Sequence, residues 1–142
     1  MRSKFDEQLA LLNRDLTKMG SLCEEALALA AKALANADGQ TAAKIAPIDS
    51  EIDQMERTIE SLCLKLLLQQ QPVARDLRQI SAALKMITDM ERIGDQASDI
   101  AGIIGFLNGR IGTDAQYICQ MAVAAMRMVT ESVEAYVKRD VA

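Results

Sequence analysis

The sequence predicts an all-α protein, an elongated antiparallel three-helix bundle followed by a fourth helix, and three observations carry that prediction. Half of the residues are hydrophobic, yet only 3% are aromatic and none is Trp. Ala, Leu, Ile and Met dominate, which gives an aliphatic core made of good helix formers. Apolar residues then recur at spacings of 3 and 4 over stretches far longer than an ordinary globular helix. Finally, the turn-forming clusters "ADG" at 37–39, "QQQP" at 69–72 and "NGRIG" at 108–112 divide those stretches. A chain of 142 residues suits one compact domain with a real core and is too short for two ordinary ones.

The first helix rests on Phe5, Leu9, Leu12, Leu16, Met19, Cys23, Ala26, Ala30, Ala33 and Ala37, an unbroken 3-4 alternation. Ser3 is its expected N-cap and Gly39 its stop, which makes it about 50 Å long. The second helix is expected from Thr41 to Gln69, with Pro47 early enough to be tolerated or to kink the start. Ile48, Ile52, Met55, Ile59, Leu62 and Leu66 form its apolar seam. Pro72 stops that helix and starts the third, which runs to about Leu107. Its seam reads Leu77, Ile80, Leu84, Ile87, Glu91, Gly94, Ser98 and Ala101, so a carboxylate falls at a core-type position. Gly94, Ala97, Ala101 and Gly102 make the middle slim, so that a neighbour can approach closely. Thr113 and Gln116 form a capping-box signature for the fourth helix, which ends near Val141. A shift of 102 residues sets Met121 on Met19, Ala125 on Cys23, Val129 on Leu27, Ala135 on Ala33 and Asp140 on Asp38, a loose copy of the first helix.

Charge narrows the function. A net charge of −4 and a pI near 4.9 argue against nucleic-acid binding, which takes a clustered basic surface. No apolar run is long enough to span a membrane, and the N-terminus turns acidic too early for a signal peptide, so a cytoplasmic protein is expected. Three cysteines without a CxxC pair, Cys23, Cys63 and Cys119, are read as reduced core or near-core residues. With no histidine in the chain, the serines lack a base and catalytic zinc lacks its usual ligand. Nothing follows a strand as a phosphate-cradling glycine loop does. The chain is therefore not read as an enzyme.

What remains is a pattern of acids. Glu91, Asp95 and Asp99 are spaced i, i+4, i+8 on one stripe of the third helix. Asp49, Asp53, Glu56 and Glu60 form a second stripe beside the seam of the second helix. Two such stripes on neighbouring helices face each other across a groove and repel unless protons, basic side chains or a cation lie between them. Carboxylates without histidine suit hard or borderline cations held by oxygen. Arg78, Lys85 and Arg92 form a heptad-spaced basic row, either a solvated face or a docking face for an acidic partner.

The blocks "IDSEIDQMER", "QQPVARDLR" and "MERIGDQASDI" resemble the PhoU family, the phosphate-uptake regulators of bacteria. The resemblance covers nearly the whole chain: residues 1–108 as one three-helix repeat and 113–142 as the first helix of a second repeat that is cut short. It implies a regulator that represses the phosphate-starvation response by linking the Pst phosphate transporter, through its ATPase subunit, to a PhoR-type sensor histidine kinase. Some members bind multinuclear iron or zinc through paired E/D-xxx-D motifs. Those motifs map onto Asp49 with Asp53 and onto Glu91 with Asp95, while Asp99 stands where many members have Asn. The alternative is a carboxylate-rich helical metal-binding protein without a signalling role, and the ion-paired and metal readings of the acids both stay open. The apolar positions of the fourth helix, Ile118, Met121, Ala125, Met128 and Val129, need cover. That helix is expected to fold back as a fourth bundle member or to pair with a second chain, and a homo-oligomer is expected.

Overall fold

A computed structural model of the chain describes residues 2–36, 38–69, 73–107 and 115–141, all helical apart from short junctions. Four long helices, α1 (Arg2–Asn36), α3 (Ile45–Gln69), α4 (Ala74–Leu107) and α5 (Ala115–Val141), run up and down, with a short helix α2 (Gly39–Ala43) between the first two. The all-α bundle read from periodicity is the observed fold. Ala37, Pro72 and the Thr113 cap lie outside the described residues, as do the side chains of Ser3, Gln116, Ile118, Cys119 and Asp140.

One expectation about the first junction is corrected. As expected, α1 stops at the "ADG" cluster, its last described residue being Asn36, and within that cluster Asp38 takes an extended conformation (φ −100°, ψ 102°) and caps a new helix. Its carboxylate accepts from the Gln40 N–H at 3.0 Å and from the Thr41 hydroxyl at 2.6 Å, and these bonds hold its acid below the ordinary range. The helix expected to begin at Thr41 breaks at Lys44 and restarts at Ile45. Pro47 supplies the reason: it has no N–H to offer the carbonyl four residues back, and its ring crowds that carbonyl, so α2 cannot run on into α3.

The core lies among α1, α3 and α4. Phe5, Leu9, Leu12, Leu16, Met19, Cys23, Ala26, Ala30 and Ala33 are all buried, as their spacing predicted. On α3 the buried set is Ile45, Ile48, Ile52, Ile59, Cys63 and Leu66, with Met55 and Leu62 packed at its margin. The seam of α4 keeps Ile80, Ile87 and Gly94 from the one expected and is turned by one residue at the steps between them. Ile80, Ala83, Ile87, Met90, Gly94 and Ala97 face inward, while Leu77 is 44% exposed. Met90, not Glu91, occupies the core position, and Glu91 sits one residue round at its edge. Leu is larger and more apolar than Ala, so the Leu77 and Leu84 stripe reads more strongly in sequence. The slim Ala83–Gly94–Ala97 stripe wins because it lets α1 and α3 come close.

Helix α5 folds back along α1, antiparallel to it, and α1 thereby touches every other helix. Close approach depends on Gly20, where an added Cβ would lie 3.0 Å from Val133 Cγ2 and 3.7 Å from Val129 Cγ1. Polar contacts fix the register: the Thr130 hydroxyl donates to the Glu24 carboxylate, and the Tyr136 hydroxyl donates to the Gln79 carbonyl at 2.9 Å. Of the two courses expected for this helix, the structure takes the first. Among the described residues, no helix is long and apolar enough to cross a membrane.

Candidate functional site

The acidic groove forms where α3 and α4 run antiparallel, and a missing side chain makes it. At Gly94 an added Cβ would lie 2.9 Å from Asp49 Oδ1, 3.0 Å from Ile52 Cδ1 and 3.3 Å from Ile52 Cγ2. Without that Cβ, α3 settles onto α4 and Asp49 drops into the space over the glycine. One helical turn on, Asp53 follows Asp49 on the same face. Asp95, next to Gly94, meets both, and Asp49, Asp53 and Asp95 each present a carboxylate oxygen within 4.8 Å of the others. Oδ1 of Asp49 and Oδ1 of Asp53 are buried and have no hydrogen-bond partner. Buried acceptors without a donor are costly, by about 1–3 kcal/mol each, and such a pair aimed at one point suits a positive ligand.

Electrostatics say the same. Burial pushes the Asp49 carboxyl up to about 6, and the negative charges of Asp53, Asp95 and Asp99 add to it. Glu91 shares a hydrogen bond with Asp95, which, with burial and the charges of Asp95, Glu56 and Asp53, pushes it up to about 7. Glu56 is raised by burial and by Glu60, Asp53 and Asp95, against a small opposing effect of Arg57. The main charges acting on Asp49 and Glu91 are thus all carboxylates.

Of the five acids that the family's motifs map onto, three converge, Glu91 reaches the group through Asp95, and Asp99 is exposed and acts at longer range. The donor set, three carboxylates with two orphan oxygens, fits a hard or borderline cation such as iron or zinc. Arg78, Lys85 and Arg92 all lie exposed on α4. Lys85 pairs with Asp89 at 3.1 Å on an exposed stretch of helix, a contact of small energetic weight. The buried thiols fit the reading given them: burial pushes Cys23 up to about 12 and Cys63 up to about 11, and the Cys23 thiol donates to the Met90 carbonyl at 3.4 Å.

Sequence reasoning missed Asp76, which is only 2% exposed in the first turn of α4. The signal was present in "VARDLR", because an acid in a first turn is favoured by the helix dipole. It also missed Gly94 as the residue on which the acid convergence depends.

Comparison with known proteins agrees with the resemblance. The PhoU domain model matches residues 16–104. A phosphate-specific transport system accessory protein PhoU homolog of Clostridium acetobutylicum is 38% identical over 141 residues, covering 98% of this chain and 64% of the relative. The homolog of the same name from Synechocystis is 41% identical over 102 residues, 72% of this chain and 46% of the relative. The crystal structure of PhoU from Pseudomonas aeruginosa superposes with a TM-score of 0.87 at 33% identity, covering 94% of this chain and 65% of that one. The chain therefore spans less than two thirds of the length of these relatives. By sequence and by fold, the chain belongs to the PhoU family.

Proposed function

We propose that this chain is a regulatory adaptor of phosphate uptake. It acts in the cytoplasm beside the Pst phosphate transporter, through contact with the transporter's ATPase subunit and with a PhoR-type sensor histidine kinase, and keeps the starvation response off while phosphate is plentiful. The observation that carries the reading is family membership over most of the chain, among relatives named as accessory proteins of phosphate-specific transport. The chemistry supports an adaptor rather than an enzyme: the described thiols are buried with raised pKa values, and the chain has no histidine to serve as a base. Long exposed helix faces, including the row Arg78, Lys85 and Arg92, are the surface on which an adaptor works.

The acidic groove supports a second role within the same protein. Asp49, Asp53 and Asp95 would hold an iron or zinc ion, with Glu91 and Asp99 at its margin, and the metal would tie α3 to α4. A metal-binding protein without signalling stays the competing account.

Secreted alkaline-phosphatase activity in phosphate-rich medium separates the two. Deleting the gene is expected to raise that activity, and supplying the gene again to silence it. Activity that stays low on deletion would remove phosphate control and leave metal handling.

A further inference from the structure

We infer that the turn end of the α3–α4 hairpin docks directly on an anionic membrane surface, with Leu68 and Val73 entering the boundary of the acyl chains and Lys65, Arg75 and Arg78 meeting the lipid phosphates. The inference goes beyond the adaptor reading and does not depend on it, since it invokes lipid alone.

Leu68 is 83% exposed, one residue inside the end of α3, and Val73 is 60% exposed, one residue ahead of α4. Single exposed apolar residues are ordinary, but here a neighbour stands one turn behind each, Leu64 on α3 and Leu77 on α4, both also exposed. The four share one edge of the hairpin. On α3, steps of three and four lead from Asp53 and Glu56 through Glu60 and Leu64 to Leu68. On α4, heptad steps lead from Glu91 through Leu84 to Leu77. The edges that are acidic where Gly94 brings the helices together therefore become apolar towards the turn.

Charge is sorted the same way. Between Glu60 and Asp89 the chain carries Lys65, Arg75, Arg78 and Lys85, and a single acid, Asp76, which is buried. In a chain of net charge −4 that is a local excess of positive charge. Lys65, Arg75 and Arg78 are exposed and lie within about 8 Å, along the helix axes, of Leu68 or Val73. From the neighbouring elements, α1 brings Lys4, Asp6 and Glu7 to this end and α5 brings Glu134 and Lys138, which leaves the exposed charge positive.

Shape decides the occupant. These apolar residues stand on the convex end of a hairpin and not in a cleft, so they can enter a plane but cannot enclose a helix. Leucines ringed by basic side chains match a surface that is apolar beneath and anionic on top, and the contact is weak and reversible. With the bundle standing on this end, Asp53 is held about 22 Å above Leu68, beyond the reach of lipid charge at physiological salt. The acidic groove thus stays clear of the surface. By the 102-residue shift α5 corresponds to α1, and it runs the opposite way. Helices laid on α5 as α3 and α4 are laid on α1 would turn at the far end of the bundle, beside α2, and would not meet Leu68 and Val73.

The test uses the 142-residue chain and vesicles of phosphatidylcholine, alone or with phosphatidylglycerol at about 30%. Because the chain has no Trp, Leu68→Trp places a single reporter at the contact. Its emission is expected to shift to the blue on the phosphatidylglycerol vesicles, with partitioning stronger than on phosphatidylcholine by about tenfold or more. K65E/R75E/R78E in that background is expected to lose the preference, and Val73→Asp to weaken partitioning on both vesicles. Lys32→Glu, exposed near the opposite end of α1, is expected to change neither. Circular dichroism establishes that each variant stays folded. A Trp that remains in water on both vesicles, or equal partitioning on the two, would overturn the proposal and leave this end to an acidic protein partner. Equal loss in Lys32→Glu would reduce the binding to overall charge and overturn it as well. So would blue emission without lipid that is lost on dilution, which would give Leu68 to a second copy of the chain. Attaching the C-terminal third of the Pseudomonas aeruginosa relative is expected to leave the shift intact, and its loss in a folded extended chain would show this end covered and contradict the inference.

Discussion

At Gly94 the absence of one carbon sets the distance between the acid-bearing helices. Gly94→Ala gains up to about 1 kcal/mol of helix propensity but drives a methyl group into Asp49 and Ile52. Asp49 can swing aside, whereas Ile52 is fully buried and cannot. Overpacking of this kind costs about 1–3 kcal/mol, so a net loss of about 1 kcal/mol is expected, read as a lower denaturant midpoint. The acids themselves set a pH dependence. Asp49 and Glu91 have folded values of about 6 and about 7 against ordinary values of 3.8 and 4.5. Below the ordinary values both states are protonated and the native state bears no repulsion. As the pH rises from the ordinary values towards the folded ones the unfolded chain ionises more readily, so stability falls. The melting temperature of the metal-free chain is therefore expected to decline from about pH 4 to about pH 7 and to level off above. Both groups retain solvent contact, which screens the effect to something on the order of 1 kcal/mol. A flat profile would mean that the carboxylates do not crowd one another. The sequence showed that these acids lie on two stripes; it did not show which of them converge, because convergence depends on what Gly94 lacks.

Among the elements, α5 is the one held by the fewest partners. Among its described residues Val129, Val133 and Tyr136 are buried, and its register rests on the bonds to Glu24 and Gln79. Tyr136→Phe removes the bond to the Gln79 carbonyl and is expected to cost about 1 kcal/mol. In hydrogen exchange the amides of α5 are expected to lose protection first, while those of α1 and α3 are unchanged. Equal loss across all helices would show that α5 is an integral part of the cooperative core. The elements differ in how legible they were. Large aliphatic residues dominate the first half of α1, and its seam was read correctly. In α4 Ile80, Ile87 and Gly94 face inward as read, but at the alternate steps Ala83, Met90 and Ala97 lie inside where Leu84, Glu91 and Ser98 were expected, because small residues contrast poorly with polar neighbours and the louder Leu77 and Leu84 stripe displaced those positions by one. The break at Lys44 was legible only as a kink, since Pro47 says that the preceding turn fails and not how the chain recovers.

For the molecule as a whole, an aliphatic three-helix core carries two surfaces of opposite character along the α3–α4 pair. Away from its turn lies a crowded set of carboxylates, and at its turn an apolar end with basic neighbours. The carboxylates of the first surface push one another's acids up, and a cation between Asp49, Asp53 and Asp95, as proposed above, would relieve that repulsion. Metal binding to the native state alone would also raise the melting temperature with metal concentration and reduce its decline with pH. The most direct measurement is the metal content of the desalted chain after incubation with iron or zinc, compared with the Asp49→Asn, Asp53→Asn double variant. The wild-type chain is predicted to retain metal and the variant to lose it while keeping its helicity. Equal metal content in the two, or none in the wild-type chain, would contradict the proposal that Asp49, Asp53 and Asp95 hold a cation.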